Sequence, residues 1–191
     1  MEVKILDEAG YECALYGLGF SYDQTSKIDI NEFVSNETLF KKVIGVSKAL
    51  YNKEGGHNKF LESIQLWVSV NAPRFWHSEA DTYRVGETKQ SESTMHTIMR
   101  KPFSSDMFED EIPRVVLDEL EKARITKDFL KIKNLLPEGF LQKRIWNLNY
   151  KVLRNIIHQR LNHKLPQWQL FCNEIYKQCE HPEFLQDLFD K

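Results

Sequence analysis

One short segment narrows the possible folds more than any other part of the chain. From Ile64 to Val70 every second side chain is aliphatic, and the side chains between them are Gln, Trp and Ser. Successive side chains of a strand point to opposite faces, so this pattern predicts a strand with one buried face. Val3–Leu6 and Glu12–Tyr22 contain β-branched or aromatic residues and are predicted strands as well. Leu39–Tyr51, in contrast, has the spacing of an amphipathic helix.

The second half of the chain has mostly helical periodicity. Pro113 suits the first turn of a helix, because the N–H that proline lacks would have no partner there. The sequence Leu-Pro-Glu-Gly at Leu136–Gly139 should interrupt the chain, and a long helix is predicted over Ile145–Leu161. A last long helix is expected to begin at Pro166, whereas Thr88–Arg100 is polar, lacks either period and is predicted to be a loop or a helix start. A sheet followed by helices predicts an α+β fold, in a single domain over residues 1–191.

Charge and composition exclude several classes of protein. The formal net charge is −2, whereas a non-specific nucleic-acid surface needs an excess of basic residues, so no nucleic-acid polymer is expected as a partner. The sequence contains no apolar run of membrane-spanning length and no signal peptide, so no membrane is expected either and a cytoplasmic location is predicted. Cys13, Cys172 and Cys179 lack metal-ligand spacing, so no metal site is predicted and all three are expected to be buried, small apolar residues.

A first polar cluster falls on the predicted helix Ile145–Leu161. Its members are Asn149, Lys151, Asn155 and Arg160. With about 3.6 residues per helical turn, these four side chains would spread over about half of the helix surface. Such a helix would suit a position between two ligands, or between a ligand and a partner subunit. The alternative is an ordinary solvated helix surface, and the spacing alone favours that alternative.

A second polar cluster follows Arg84 and Lys89. It consists of Ser91, Glu92, Ser93, Thr94, Met95 and His96. The hydroxyl groups, the imidazole and the two cations could form a cradle for a phosphate group. Ser91 or Ser93 could instead cap a helix, with help from Glu92, and the local sequence favours this simpler alternative. The sequence contains no nucleophile elbow, P-loop, GxGxxG or HExxH motif.

The spacing of the C-terminal polar residues resembles that of the flavin-dependent thymidylate synthases. The matching positions are Leu136-Pro137, Asn149-Tyr150-Lys151, Asn155, Arg160 and Gln167-Trp168-Gln169-Leu170. A second similar stretch contains Gly56-His57 and Glu62, the alternating strand, then Ala72-Pro73 and Phe75. Together the similarity covers roughly residues 48–178, which is most of the chain.

This resemblance implies a fold, a set of ligands and a reaction. The fold would be an antiparallel sheet with a C-terminal set of long helices, assembled as a homotetramer. The cofactor would be FAD, with NADPH and methylenetetrahydrofolate as further candidates. The substrate would be deoxyuridine monophosphate or another pyrimidine monophosphate, bound where subunits meet. The implied function is transfer of a methyl or related one-carbon group to C5 of the base.

The resemblance also implies roles for individual residues. Asn149, Asn155 and Lys151 resemble residues that contact the flavin, and His57, the histidine of the matching Gly-His pair, is a further implied cofactor-binding residue. Arg160 resembles the arginine beside the uracil ring and is the implied catalytic residue. The implied substrate-binding residues are Glu79, Arg84, Lys89, Ser91, Glu92, Ser93, Thr94 and Lys133.

The chain departs from the family pattern in the loop that contacts both ligands. The family has Arg-His-Arg where this chain has Thr82-Tyr83-Arg84, so only the last arginine is kept. The next family motif, Asn-Glu-x-Ser-x-Arg, falls on Ser91–His96 with a two-residue insertion or on Lys89–Thr94 without one, and its arginine is absent either way. These changes suggest an alternative function, a catalytically inactive scaffold that binds a nucleotide or a partner. An origin in a phage or mobile element would suit such divergence.

Overall fold

The computed structural model describes residues 1–53 and 55–190. Within these residues the centre of the fold is a four-stranded antiparallel sheet with the strand order β1-β2-β4-β3. The strands are β1 (Glu2–Ala9), β2 (Gln65–Pro73), β3 (Glu87–Ser91) and β4 (Leu141–Asn149). The helices are α1 (Tyr11–Phe20), α2 (Ile30–Ser35), α3 (Glu37–Leu50), α4 (Arg74–Ala80), α5 (Thr94–Thr97), α6 (Arg114–Ile125), α7 (Phe129–Leu135), α8 (Tyr150–Arg160), α9 (Pro166–Gln178) and α10 (Gln186–Phe189). The predicted α+β fold with an antiparallel sheet is confirmed.

The alternating segment forms the central strand β2, as its pattern predicted. Leu66, Val68 and Val70 are at most 1% exposed, because their shared face packs into the main core. The strand pairs with β1 on one side and with β4 on the other, and Val68 lies opposite Trp146 of β4. A one-residue slip would move the aliphatic face to the other side of the sheet, so the pattern itself fixes the register.

Aromatic side chains hold the C-terminal helices against the sheet. Trp76 of α4, Trp146 of β4, and Trp168 and Phe171 of α9 are at most 2% exposed. The ring centroid of Trp76 lies 4.5 Å from that of Trp168, and the ring centroid of Trp146 lies 5.5 Å from that of Phe171. Buried aromatic rings contribute large apolar areas, so this cluster fixes α4 and α9 relative to the sheet.

The prediction of a strand over Glu12–Tyr22 is wrong, because this segment contains helix α1. Gly10 connects β1 to α1 with a φ of +93°, a conformation that glycine adopts without strain. A Cβ atom at Gly10 would collide with the Ser63 carbonyl oxygen. Ala14 and Leu15 are buried on the inner side of the helix. The aromatic residues suggested a strand, but tertiary packing decided the conformation.

The predicted helix Ile145–Leu161 is wrong in its first part. The segment continues β4 as far as Asn149, and helix α8 begins only at Tyr150. Trp146 and Leu148 are buried on one face of the strand, so apolar residues that fitted a helical repeat also fit a strand. Thr88–Arg100 was predicted to be a loop or a helix start, but it contains most of edge strand β3 before the short helix α5.

Several helix boundaries follow the predicted signals. Helix α3 (Glu37–Leu50) begins two residues before the predicted segment Leu39–Tyr51 and ends one residue before that segment ends. Pro113 directly precedes α6. The chain breaks after α7 at Leu136, and Pro166 is the first residue of α9. Of the helices in residues 1–53 and 55–190, none is both long and apolar enough to cross a membrane.

The cysteines differ in exposure. Cys172 and Cys179 are buried, as predicted, but Cys13 is exposed on α1, so that prediction is wrong. Burial raises the pKa of the Cys172 thiol to about 12, and burial raises that of Cys179 to about 12 as well. Both thiols therefore stay protonated at neutral pH and are poor nucleophiles. In the described part of the chain, no three His, Cys, Asp or Glu side chains meet as a possible metal site.

Candidate functional site

A cavity of about 500 Å³ lies beside the first turns of α8, and we call it the α8 cavity. Its walls come from three parts of the chain: the loop between α4 and β3, the start of α8, and Glu62. Arg84, Lys151, Asn149 and Asn155, all predicted ligand-binding residues, line it. The structure therefore brings together side chains from two separate polar segments of the sequence.

The Asn149 side chain holds two lining segments of this cavity together. Its side-chain oxygen accepts a hydrogen bond of 3.0 Å from the backbone N–H of Val152, which caps α8, and its amide nitrogen donates to the Gly86 carbonyl at 3.3 Å. Gly86 has a φ of +70°, and a Cβ atom there would lie only 2.9 Å from the Val152 side chain. The Asn149 side chain thus ties the loop to the helix, and one amide N–H remains for another partner.

The other polar side chains of the α8 cavity are more available than Asn149 to bind a ligand. Asn155 is exposed, and its side-chain oxygen accepts a hydrogen bond of 2.9 Å from Gln159 while its amide N–H groups make none in the described residues. Arg84 is also exposed, and its only side-chain hydrogen bond within the described residues is a long one, 3.5 Å, to the Asp81 carbonyl. Lys151 Nζ lies 2.6 Å from Glu62 Oε1. Two cations and an amide therefore face a common space.

Arg160 does not line the α8 cavity. Its guanidinium donates to Glu79 Oε2 at 2.9 Å and to the Tyr83 hydroxyl at 2.9 Å. Trp168 Nε1 donates to the same Glu79 oxygen at 2.9 Å, and the guanidinium lies 4.7 Å from the centre of the Trp168 ring. We call these four residues the Arg160 cluster. His163 Nε2 also lies 2.9 Å from Arg160 Nη1.

The polar side-chain groups of the Arg160 cluster already form hydrogen bonds with one another. The Arg160 side chain is 17% exposed and that of Glu79 is 34% exposed, so the ion pair is partly shielded from water. Of the polar cluster Asn149, Lys151, Asn155 and Arg160, only Arg160 does not line the α8 cavity. Tyr83 connects the two regions, because it lines the α8 cavity and also binds Arg160.

Lys89, predicted to bind a phosphate, is occupied by internal partners. Its ammonium lies 2.8 Å from Glu87 Oε1 and donates to the Tyr83 carbonyl at 3.0 Å. The other Glu87 oxygen accepts a hydrogen bond of 2.6 Å from Trp146 Nε1. The side chains of Lys89 and Glu87 are only 11% and 7% exposed. A phosphate would have to displace a shielded carboxylate to reach this lysine.

The segment Ser91–His96 lies away from the α8 cavity, at the far end of β3. The backbone of Glu92 pairs with neighbouring β4, donating to the Lys143 carbonyl at 2.8 Å. Ser93 occupies the N-cap position of α5 without a side-chain capping bond, so the predicted serine cap is not formed. Lys133 Nζ donates to Thr94 Oγ1 at 2.8 Å. Within one copy of the chain, Arg84, Lys89 and this segment are therefore not brought together as a phosphate cradle.

His57 lines a second cavity of about 510 Å³, which we call the His57 cavity. It lies between α1 and the segment that precedes β2, and Glu62 lines both this cavity and the α8 cavity. Sequence reasoning did not single out the ion pair between Glu62 and Lys151, nor that between Glu79 and Arg160. The opposite charges were visible, but only the fold brings these distant positions together.

Of three comparisons with known proteins, only the comparison with solved structures finds similar proteins. No protein-family model and no curated protein sequence matches the chain. A crystal structure of flavin-dependent thymidylate synthase ThyX from Helicobacter pylori, complexed with FAD and dUMP, matches with a TM-score of 0.76 and 16% identity, over 98% of this chain and 99% of that one. A second structure of Helicobacter pylori ThyX with FAD and dUMP matches with a TM-score of 0.79 and 15% identity, over 100% of both chains.

A related enzyme matches less closely. A UMP/dUMP methylase, PolB from Streptomyces cacaoi, bound with 5-Br dUMP, has a TM-score of 0.67 and 12% identity, over 99% of this chain and 94% of that one. The fold of the present chain is that of the flavin-dependent thymidylate synthases, which confirms the fold that the sequence resemblance implied. With identities of 12–16%, the chain is a divergent example of this fold.

Proposed function

We propose that the chain binds a flavin nucleotide at the α8 cavity and transfers one carbon to C5 of a pyrimidine monophosphate. The observation that carries this proposal is the convergence of Arg84, Lys151 and Asn155 on one cavity. The similar structures of ThyX with FAD and dUMP give the convergence its chemical interpretation. Completion of the site by further copies of the chain, in a homotetramer, belongs to the proposal.

The residues of the α8 cavity fit a flavin. Its volume of about 500 Å³ lies within the usual range for small-molecule sites, about 300–1,000 Å³. Tyr83, Val85 and Val152 supply apolar wall for a planar ring system. The Asn155 amide offers donors for the polar edge of such a ring, and Arg84 and Lys151 offer positive charge for its phosphates.

The reaction needs a carbon donor and a source of electrons. Methylenetetrahydrofolate would supply the carbon, and NADPH would reduce the cofactor. Reduced flavin, when bound, supplies the two electrons that bring the transferred carbon to the methyl level. At the base, the C5–H bond is replaced by a C5–CH₃ bond and the C5 hydrogen leaves as a proton. The protein would position the reactants, and the redox chemistry would remain with the cofactor.

Individual residues would contribute binding and orientation. Arg84 and Lys151 would hold phosphate groups, and Asn155 would orient the ring. Arg160 would polarise a carbonyl of the base only after a ligand displaces Glu79 from its guanidinium. Burial raises the pKa of the Cys172 and Cys179 thiols to about 12 each, which argues against either of these two thiols as a nucleophile in this reaction.

A second candidate function is nucleotide binding without catalysis. Two internal ion pairs favour it, Glu79 with Arg160 and Glu87 with Lys89. Each pair neutralises a cation that the family resemblance assigns to the substrate. A site that lacks both cations could still bind a flavin or nucleotide at the α8 cavity while failing to activate the base.

One experiment separates these outcomes. Purified protein is titrated with FAD and with dUMP, and tritium release from 5-tritiated dUMP is then measured with methylenetetrahydrofolate and NADPH. Tritium release together with thymidylate formation supports the enzyme. Binding of FAD or dUMP without tritium release supports the second candidate, and the absence of any binding rejects both.

A further inference from the structure

The α8 cavity and the His57 cavity share one lining residue, Glu62, and this residue forms an ion pair with Lys151. Lys151 Nζ lies 2.6 Å from Glu62 Oε1, with the two side chains 39% and 53% exposed. Glu62 lines both cavities, and Lys151 lines the α8 cavity. The ion pair, which we call the Glu62–Lys151 pair, therefore stands at the boundary between two spaces of about 510 and 500 Å³.

This boundary is easier to open than the wall of the α8 cavity that Asn149 holds. An exposed ion pair contributes little to stability, because water solvates both charges after they separate. The wall at Asn149 is held more firmly, because this residue is only 6% exposed and its side chain bonds to both Gly86 and Val152. A ligand longer than one cavity would therefore cross at the Glu62–Lys151 pair.

The His57 cavity can accept a second part of such a ligand. Tyr22 and Phe60 supply aromatic surface along its lining, and Lys59 adds a further cation. Gly17 and Gly55 leave open space, since a Cβ atom at either position would meet no neighbouring atom within 4 Å. Aromatic surface beside positive charge suits a planar base that carries phosphate groups.

The cations at the boundary suit a diphosphate. Among the described residues, Lys151 has one carboxylate partner, Glu62, and a phosphate oxygen could replace that carboxylate without leaving the ammonium unpaired. Arg84, on the same α8 cavity, makes no ion pair within residues 1–53 and 55–190. The two side chains could thus both contact the linker between two halves of a dinucleotide.

We propose that the Glu62 carboxylate is a resident counter-ion of Lys151 that the diphosphate of a dinucleotide displaces when the ligand spans both cavities. Glu62 is then a specificity-determining residue, which lowers affinity for the phosphate-bearing ligand and leaves affinity for an uncharged flavin unchanged. This inference rests on the proposed flavin site and adds a role for a residue to which that proposal assigns none.

The test compares FAD with riboflavin, which has no phosphate. Binding is measured by quenching of flavin fluorescence for the wild type, Glu62→Gln and Lys151→Gln. Glu37→Gln, which breaks an exposed ion pair with Lys41 elsewhere on the surface, is the matched control. Glu62→Gln should bind FAD about two- to fivefold more tightly, the effect expected for one exposed charge pair. Lys151→Gln should bind FAD about tenfold more weakly, since it loses a charge-assisted hydrogen bond.

Riboflavin affinity should stay the same in all four proteins, and the FAD affinity of Glu37→Gln should equal that of the wild type. Unchanged or weaker FAD binding by Glu62→Gln overturns the inference, and so does an equal change for riboflavin. If the wild type binds FAD but Glu62→Gln has no effect, only the counter-ion role fails. If the wild type binds no flavin, this inference and the flavin part of the proposed function fail together.

Discussion

The α8 cavity and the Arg160 cluster contain the same kinds of side chain but use them differently. In the cavity, Arg84 is exposed, and Lys151 forms an ion pair with the exposed carboxylate of Glu62. In the cluster, Arg160 is shielded and bound to Glu79, Tyr83 and Trp168 at once. An arginine that matches a family position is therefore not automatically free for a ligand. Its pairing and its burial decide whether the charge serves binding or stability.

The largest change in stability is expected from a substitution in the Arg160 cluster. Glu79→Ala leaves the guanidinium without its carboxylate and the buried Trp168 N–H without an acceptor. We expect this change to lower the free energy of unfolding by about 3 kcal/mol, the combined cost of a partly shielded ion pair and of a buried N–H without an acceptor. Glu62→Ala, which removes the matching carboxylate of the α8 cavity, should cost less than about 1 kcal/mol. Urea denaturation of both variants measures the difference, and equal losses would remove the distinction between the two regions.

His77 is buried but, within the described residues, forms no ion pair with a carboxylate, so it extends the comparison to a shielded group without a counter-charge. Burial lowers the pKa of His77 from 6.5 to about 4, and the ring Nε2 lies 2.8 Å from the Gln142 carbonyl oxygen. Since the unfolded chain takes up this proton more readily, stability should be complete above pH 6.5 and should fall as the pH drops towards 4. The shift corresponds to about 3 kcal/mol over that range.

The control for this pH dependence is His77→Gln, which keeps a donor for the carbonyl but cannot titrate. Urea denaturation at several pH values should give a steeper loss of stability for the wild type than for the variant between pH 6.5 and 4. Parallel curves for the two proteins would mean that His77 takes up its proton as easily in the folded state as in the unfolded chain.

The two asparagines give a smaller and more local contrast. Asn149→Ala removes the cap of α8 and the bond to Gly86, so it should cost about 1–2 kcal/mol of stability. Asn155 is exposed and bonds only to Gln159 within the described residues, so Asn155→Ala should change stability by less than about 0.5 kcal/mol. Thermal unfolding ranks the two variants, and a larger loss for Asn155→Ala would reverse the roles given to these residues.

The sequence predicted the parts of the fold that depend on local periodicity. The alternation from Ile64 to Val70 marked the central strand, since one face of that strand is buried and the other is not. Pro113 and Pro166 marked the starts of helices, because proline is suited to the first turn. The boundary between β4 and α8 was missed, since the apolar residues around Leu148 fit both repeats. Asn149, at that boundary, was assigned to a helix interior although it caps the helix.

The candidate site was predictable in its residue types but not in its pairings. The resemblance to a family identified Asn155, Lys151 and Arg160 by position. The partners that decide their availability lie far away along the chain, 89 residues for Lys151 and Glu62 and 81 residues for Arg160 and Glu79. No local pattern encodes such contacts. These contacts form because α8 packs beside two segments of the chain. One precedes the central strand β2 and contains Glu62, and the other precedes the edge strand β3 and contains Glu79.

The most direct test of the account is to fill the α8 cavity without disturbing the core. Asn155→Trp places a large ring at an exposed helix position that lines the cavity, and Lys164→Trp places the same ring at an exposed position outside it. FAD affinity of both variants and the wild type is measured by quenching of flavin fluorescence. We expect Asn155→Trp to lose FAD binding while Lys164→Trp retains the wild-type affinity. Wild-type affinity in Asn155→Trp would contradict the assignment of the α8 cavity as the flavin site.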